Sequence, residues 1–265
     1  MPAGGTGLVL RGLRKEPATI GKWHLGWDLT YKEGKAKTVD NIDFTKRVAN
    51  GPTDRGFDYF YGLTSPSGPP HLYMVNDMAE KQPNTRFEES GGGLYKIKGG
   101  IGHSDWSADG MQPHLADKML EYLDENKDSD KPFFLYMALT APHIPLFPSK
   151  EFKGKSKIGD YGDLVMMIDD IVGRVNRKLK EIGKYDNTIV MFAADNGCAG
   201  YINMDRINRK GHYPSYIYRG YKSHGWEGGH RIPFILSWGD RYGHVTDNSL
   251  VSLTDLYATF ADMLG

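Results

Sequence analysis

Short apolar runs that end at turns dominate the pattern of this chain. Six apolar residues, 189–194, are followed directly by Asp195, Asn196 and Gly197. Their branched and aromatic side chains are typical of a strand buried on both faces. Similar runs at 133–139 and 232–238 predict two further buried strands, and the residues leading to Lys22 predict another strand end.

Helical spacing of apolar residues predicts three helices, at 115–123, 164–179 and 250–264. Gly183 is expected to stop the middle helix. Since that helix lies between the strands predicted at 133–139 and 188–194, we expect a parallel, right-handed strand–helix–strand unit. The chain shows no internal repeat and no low-complexity linker, so we predict one α/β domain over residues 1–265.

The region between the first two predicted strands is less regular. Residues 56–62 form a dense aromatic run closed by glycine, which we interpret as a loop packed on the core. Residues 71–110 show no sustained period. His103, Asp105 and His114 lack metal-ligand spacing, and we expect them to be structural.

The composition gives no support for nucleic-acid or membrane binding. Lys plus Arg and Asp plus Glu are both 33, so the net charge is zero and gives no reason to expect nucleic acid or a membrane surface as partner. The apolar runs are far shorter than the roughly 18 residues of a membrane span. Cys198 is the single cysteine, so no internal disulfide can form, and the first residues do not resemble a signal peptide.

The Asp195–Asn196 pair is the first candidate for chemistry. In open α/β sheets, ligands bind just beyond the carboxyl ends of the strands, where these two residues would stand. A carboxylate and an amide carbonyl are hard oxygen ligands suited to Ca²⁺ or Mg²⁺. The alternative is an Asx turn that merely closes the strand.

Lys22 and His24 form a second candidate pair, bracketed by Gly21 and Gly26. Strand alternation would put both on one face and Trp23 on the other, and a cation beside an imidazole suits an anionic group. The alternative is a solvated lysine and a histidine stacked on Trp23.

Two more candidates follow the same logic. His143 stands at the carboxyl end of the strand predicted at 133–139, between two prolines, and Lys222 comes just before the strand at 232–238. We predict that these residues converge with the two pairs above at one sheet edge. Several cations beside two hard oxygen ligands favour a metal-assisted site for an anionic ester.

Four stretches, in this order, resemble the motifs of the sulfatases, within the alkaline phosphatase superfamily. The first is Gly21-Lys22-Trp23-His24-Leu25-Gly26, and the second runs over residues 132–145 and ends in Ala141-Pro142-His143-Ile144-Pro145. The others are Ala194-Asp195-Asn196-Gly197 and Lys222 with Glu227-Gly228-Gly229-His230-Arg231-Ile232-Pro233.

The resemblance implies a mixed, largely parallel sheet flanked by helices and the hydrolysis of sulfate esters. Asp195 and Asn196 would bind Ca²⁺, with Mg²⁺ the less favoured ion. Lys22 and Lys222 would hold the sulfate oxygens. His143 would protonate the leaving alcohol, and His24 would assist turnover of the sulfated nucleophile.

The sequence departs from the family pattern at the nucleophile. Sulfatases make formylglycine from a Cys or Ser in Cys/Ser-x-Pro-x-Arg, and this sequence has no such motif, since Ala199-Gly200 follows Cys198. We therefore expect a truncated core without the nucleophile segment and the C-terminal subdomain, with impaired turnover. The alternatives are a phosphoester or phosphonate hydrolase of the same superfamily, or a non-catalytic remnant that binds anions or glycans.

The partners implied are a sulfated small molecule or glycan and, through an exposed sheet edge, a second copy of the chain. The family is often exported or lysosomal, which the sequence itself does not decide.

Overall fold

A computed structural model describes residues 16–65 and 67–264. The chain divides into two compact units, Met1–Pro145 with Asp247–Gly265, and Leu146–Thr246. The prediction of one domain over residues 1–265 stays a prediction, and each unit is described by itself.

A five-stranded sheet forms the centre of the first unit, in the order β4-β3-β2-β1-β7. Its strands are β1 (Glu16–Lys22), β2 (Tyr59–Leu63), β3 (Met74–Val75), β4 (Met78–Ala79) and β7 (Phe133–Ala138). β1 runs parallel to both β2 and β7, whereas β3 pairs antiparallel with β2 and β4. The sheet is therefore mixed with a parallel centre, as the resemblance implied. Two short strands, β5 (Thr85–Phe87) and β6 (Gly100–Gly102), form a separate antiparallel pair.

β2 corrects the interpretation of residues 56–62 as a loop. The aromatic run is a strand whose residues Phe60 and Tyr61 are buried. Its glycine is required by close packing, because a Cβ on Gly62 would lie 1.7 Å from the carbonyl oxygen of Gly21 on β1. Aromatic side chains favour strands, and the run of only five residues was too short to show a period.

Two helices belong to this unit. α1 (Met111–Glu125) packs on β1 and β2 and buries Leu115, Met119 and Leu123, as its spacing predicted. α5 (Asp255–Leu264) is shorter than the predicted 250–264, and its Phe260 ring meets Phe134 of β7 at 5.9 Å between centroids.

The second unit contains a long helix and one strand pair. α2 (Asp160–Glu181) buries the predicted apolar stripe and ends just before Gly183, whose φ of 69° is left-handed. The strands are β8 (Ile189–Ala193) and β9 (Phe234–Trp238), and the short helices are α3 (Met204–Asn208) and α4 (Glu227–His230).

The predicted parallel unit of residues 133–139 and 188–194 is wrong. β8 pairs antiparallel with β9, from Ile189 opposite Trp238 to Ala193 opposite Phe234. β8 is also only half-buried, with Ala193 exposed, rather than buried on both faces. The order of apolar runs along a chain does not determine which strands pair, because consecutive strands are neighbours in only about two-thirds of cases. None of the described helices is both long and apolar enough to cross a membrane.

Candidate active site

The first half of the candidate site lies at the carboxyl ends of two neighbouring strands. Lys22 is the last residue of β1 and is half-buried. Parallel pairing places Gly21 opposite Ala138, the last residue of β7, so the loop that carries His143 starts beside Lys22. A Cβ on Gly21 would lie 2.0 Å from the Ala138 carbonyl oxygen, which makes this approach possible for glycine alone.

The strand ends at Lys22, so the predicted alternation of Lys22, Trp23 and His24 over two faces of a strand stays a prediction. The Trp23 backbone N–H donates to the Leu63 carbonyl at 2.9 Å, and its indole N–H donates to Gly26 O at 3.1 Å. Its ring is buried against Phe57 in an edge-to-face contact. His24 lies beyond the strand with a left-handed φ of 50° and is exposed.

His143 is held by its own loop. Its backbone N–H donates to the carbonyl of buried Thr140 at 3.0 Å. Its ring Nδ1 lies 2.6 Å from the Ile144 carbonyl oxygen, an acceptor, so Nδ1 carries the proton and donates it. Nε2 is therefore the ring atom at which a proton can be gained or released.

The second half of the candidate site is a loop cluster in the second unit. Asp195 and Asn196 follow β8, and the Asn196 amide Nδ2 donates to Asp195 Oδ1. The backbone N–H of Gly197 donates to Gly229 O at 2.9 Å. A Cβ on Gly197 would lie 1.9 Å from Gly228 O, so the Asp-Asn-Gly turn fits closely against α4.

Lys222 joins the same cluster through its backbone. Its N–H donates at 2.8 Å to the carbonyl of Cys198, three residues after Asp195. The structure therefore brings together the Asp195–Asn196 turn and the Lys222 loop, while in the first unit the loop that carries His143 starts beside Lys22. Sequence reasoning gave Gly197, Gly228 and Gly229 no role of their own, although glycines beside charged motif residues are a signal of close backbone approach.

The oxygen ligands at this turn are of the type that a hard cation prefers, but they are too few to complete its coordination. Asp195 offers a carboxylate and Asn196 an amide oxygen, whereas Ca²⁺ takes about six to eight oxygens. Over residues 16–65 and 67–264, no group of three or more His, Cys, Asp or Glu side chains is arranged to hold a metal. These two residues therefore do not complete a metal site by themselves.

Cys198 has a structural environment. Its thiol lies 3.5 Å from the Tyr161 hydroxyl, and burial raises the pKa of the thiol above its usual range. A thiol of raised pKa is a weak nucleophile at neutral pH.

Comparison with known proteins supports the motif reading. The family model named Sulfatase matches residues 9–265. An N-acetylgalactosamine-6-O-sulfatase of Bacteroides thetaiotaomicron is 29% identical over 280 residues, covering 92% of this chain and 53% of the relative. An arylsulfatase of Hemicentrotus pulcherrimus is 30% identical over 246 residues, covering 93% of this chain and 40% of the relative. The chain thus spans about half the length, or less, of these curated relatives.

Solved structures agree with the fold. A structure described for the metabolism of multiple glycosaminoglycans by Bacteroides thetaiotaomicron superposes with a TM-score of 0.80 at 26% identity, over 98% of this chain and 59% of that one. The PsFucS1 sulfatase from Pseudoalteromonas sp. superposes with a TM-score of 0.69 at 25% identity, over 98% and 50%.

Proposed function

This chain belongs to the sulfatase family, and from that premise we propose that its six motif residues bind sulfate esters. The observation that supports the proposal is the position of the cationic residues, each within its own unit. Lys22 ends β1, the His143 loop starts at the neighbouring end of β7, and Lys222 is bonded to the turn that follows β8. Positive charge at strand ends is what a bound sulfate requires.

Each residue has a role that fits its environment. Lys22 and Lys222 hold sulfate oxygens as point charges. His143, with Nδ1 fixed on the Ile144 carbonyl, donates the proton on Nε2 to the leaving alkoxide oxygen, and so must be cationic before the step. His24, exposed beyond β1, would assist turnover of a sulfated nucleophile if one were supplied.

Sulfatases generally use a metal ion and formylglycine. For this chain we propose Ca²⁺ rather than Mg²⁺, with Asp195 and Asn196 as two of its ligands. The ion would supply fixed positive charge beside the sulfate. We expect binding by this chain to be weak, because two ligands satisfy only part of the coordination that Ca²⁺ takes.

The missing nucleophile motif limits the activity that we expect of the 265-residue chain alone. The sequence contains no Cys/Ser-x-Pro-x-Arg motif. We propose that the chain binds the ester and can donate the proton, but turns over aryl sulfates far more slowly than a sulfatase, because loss of one member of a catalytic unit reduces the rate by orders of magnitude.

A sulfated amino sugar is the substrate class that we propose. It rests on the similarity to a relative named as an N-acetylgalactosamine-6-O-sulfatase. A phosphate ester would use the same lysines, so the phosphoester alternative is tested by the matching sugar phosphate.

The experiment is a binding titration of the 265-residue chain with N-acetylgalactosamine 6-sulfate and, separately, the 6-phosphate. Lys22→Ala and Lys222→Ala should each weaken binding of the sulfate about tenfold, and exposed Lys150→Ala should not. A preference for the phosphate would favour the phosphoester reading. If neither lysine substitution weakens binding of the sulfate, the proposed site is wrong.

The double variant Lys22→Ala/Lys222→Ala tests whether the two lysines serve one anion. Residues that share a ligand show coupled losses, whereas independent sites give additive ones. Coupling is expected, and full additivity would count against a shared sulfate.

A further inference from the structure

A cavity of about 430 Å³ lies in the second unit, next to the Lys222 loop. One side is formed by Gly220 and Tyr221, which directly precede Lys222, and by Gly200. Gly200 lies two residues after Cys198, whose carbonyl accepts the Lys222 backbone N–H. Residues of the cavity wall are thus direct neighbours in sequence of Lys222, which belongs to the candidate anion site. The volume of the cavity is within the roughly 300–1,000 Å³ of small-molecule sites.

Tyrosine rings line this cavity. Tyr213 and Tyr216 are 58% and 69% exposed, so their ring faces are accessible. Tyr221 packs against the backbone of Gly200, where a Cβ would come within 2.5 Å of the ring, and its ring centroid lies 4.0 Å from that of His224, so it forms a fixed wall of the cavity. Tyrosine combines an apolar face with a polar tip, which matches the C–H face and the hydroxyl rim of a sugar ring.

The polar groups of the cavity favour an uncharged, hydroxyl-rich ligand. The Ser215 hydroxyl oxygen is buried and has no hydrogen-bond partner within residues 16–65 and 67–264. Such a group is costly unless something pairs with it. Asp205, also at the cavity, is an acceptor for hydroxyl donors and would repel a sulfate. The anion therefore belongs on the Lys222 side, and the neutral ring in the cavity.

We propose that this cavity is a sugar subsite, which seats the pyranose ring of a sulfated glycan against Tyr213 and Tyr216, with hydrogen bonds to Ser215 and Asp205. The proposal rests on the proposed function, since it takes the sulfate to be held by the lysines. It assigns recognition of the glycan to the tyrosine-rich segment that precedes Lys222.

The test uses three probes on the 265-residue chain in NMR titrations: inorganic sulfate, N-acetylgalactosamine 6-sulfate and unsulfated N-acetylgalactosamine. Tyr216→Ala should weaken binding of both sugars between about twofold and tenfold and leave sulfate binding unchanged. Tyr216→Phe should retain most of the affinity. Tyr242→Ala removes an equally exposed tyrosine outside the cavity, 65% exposed, and should change nothing.

The outcomes separate the two proposals. If Lys222→Ala weakens binding of the sulfated sugar while Tyr216→Ala and Ser215→Ala do not, the subsite is wrong and the anion site stands. If Tyr216→Ala weakens the sugars while Lys222→Ala has no effect on any probe, the subsite stands and the anion site fails. If the unaltered chain binds neither sugar, the subsite is wrong.

Discussion

The two units hold their parts of the candidate site by different means. In the first, β1 lies between β2 and β7, and its Ile20 is 0% exposed. In the second, β9 pairs with β8, and its Ile235 is 61% exposed. Lys22 therefore extends from a close-packed strand, whereas Lys222 and Asp195 lie on loops joined by backbone hydrogen bonds, such as Gly197 to Gly229 and Lys222 to Cys198.

This difference predicts which substitutions would disrupt each half of the candidate site. Disturbing the core of the first unit should remove the fold together with Lys22 and His143. Disturbing the loop contacts of the second should displace Lys222 and Asp195 while most of the unit persists, because such local contacts carry only part of the stability.

The largest effect is expected from Gly62→Ala. The added Cβ would lie 1.7 Å from Gly21 O, between two paired strands, so the backbones must separate. We expect a loss of about 3 kcal/mol or more in the free energy of unfolding, measured by urea titration. Gly92→Ala is the matched control, since its Cβ meets nothing within 4 Å. Equal stability of the two variants would contradict the close packing of β1 on β2.

A smaller effect on stability is expected from Gly197→Ala. Its Cβ would lie 1.9 Å from Gly228 O, so the turn after β8 must move away from α4. We expect about 1–2 kcal/mol of destabilisation, but loss of sulfate binding that matches Lys222→Ala. Gly225→Ala, with open space around its Cβ, should leave both unchanged. Full sulfate affinity in Gly197→Ala would show that Lys222 does not depend on this turn.

Some elements of the fold could be predicted from the sequence and others could not. The positions of α1 and α2, three of the apolar strands and the strand-end placement of the motif residues followed from periodicity and turn residues. β2 was missed because five residues that include a glycine carry too little pattern. The predicted partner of β8 was wrong because consecutive strands along a chain are not always neighbours in a sheet.

Of the candidate site, the sequence predicted where single residues stand: Lys22 ends β1, and Asp195 follows β8. The roles of the site residues and their convergence stay predictions. The backbone bond from Lys222 to Cys198 and the tyrosine-lined cavity were not readable, because both depend on how loops fold back on one another.

Acid should destabilise the first unit. Burial lowers the pKa of His71 and of His114, the latter lying 2.6 Å from the Tyr61 hydroxyl, while Glu80 opposes the shift at His114. The unfolded chain takes up protons at a pKa of about 6.5, so below that pH it binds more protons than the folded one and stability falls. The second unit's His212, His224, His230 and His244 are all exposed.

Urea titrations at pH 7.5 and pH 5 measure this loss. His71→Gln and His114→Gln should each reduce the difference between the two pH values, and His244→Gln controls for removal of a histidine as such. An unchanged difference in both core variants would show that other groups cause the acid sensitivity.

The smallest effect is expected from Ile235→Ala on β9. At 61% exposure the side chain loses little contact when truncated, so the free energy of unfolding should change by no more than about 0.5 kcal/mol. Ile20→Ala, at the fully buried position of β1, should lose about 2–5 kcal/mol in the free energy of unfolding.

The same substitution on β9 tests the predicted self-association of the chain, because a second copy bound to β9 would bury Ile235. In that case the Ile235→Ala loss would approach that of Ile20→Ala and grow with protein concentration, and sedimentation velocity would show a dimer that the variant weakens. A small loss with a monomer at all concentrations would leave β9 as the exposed counterpart of β1.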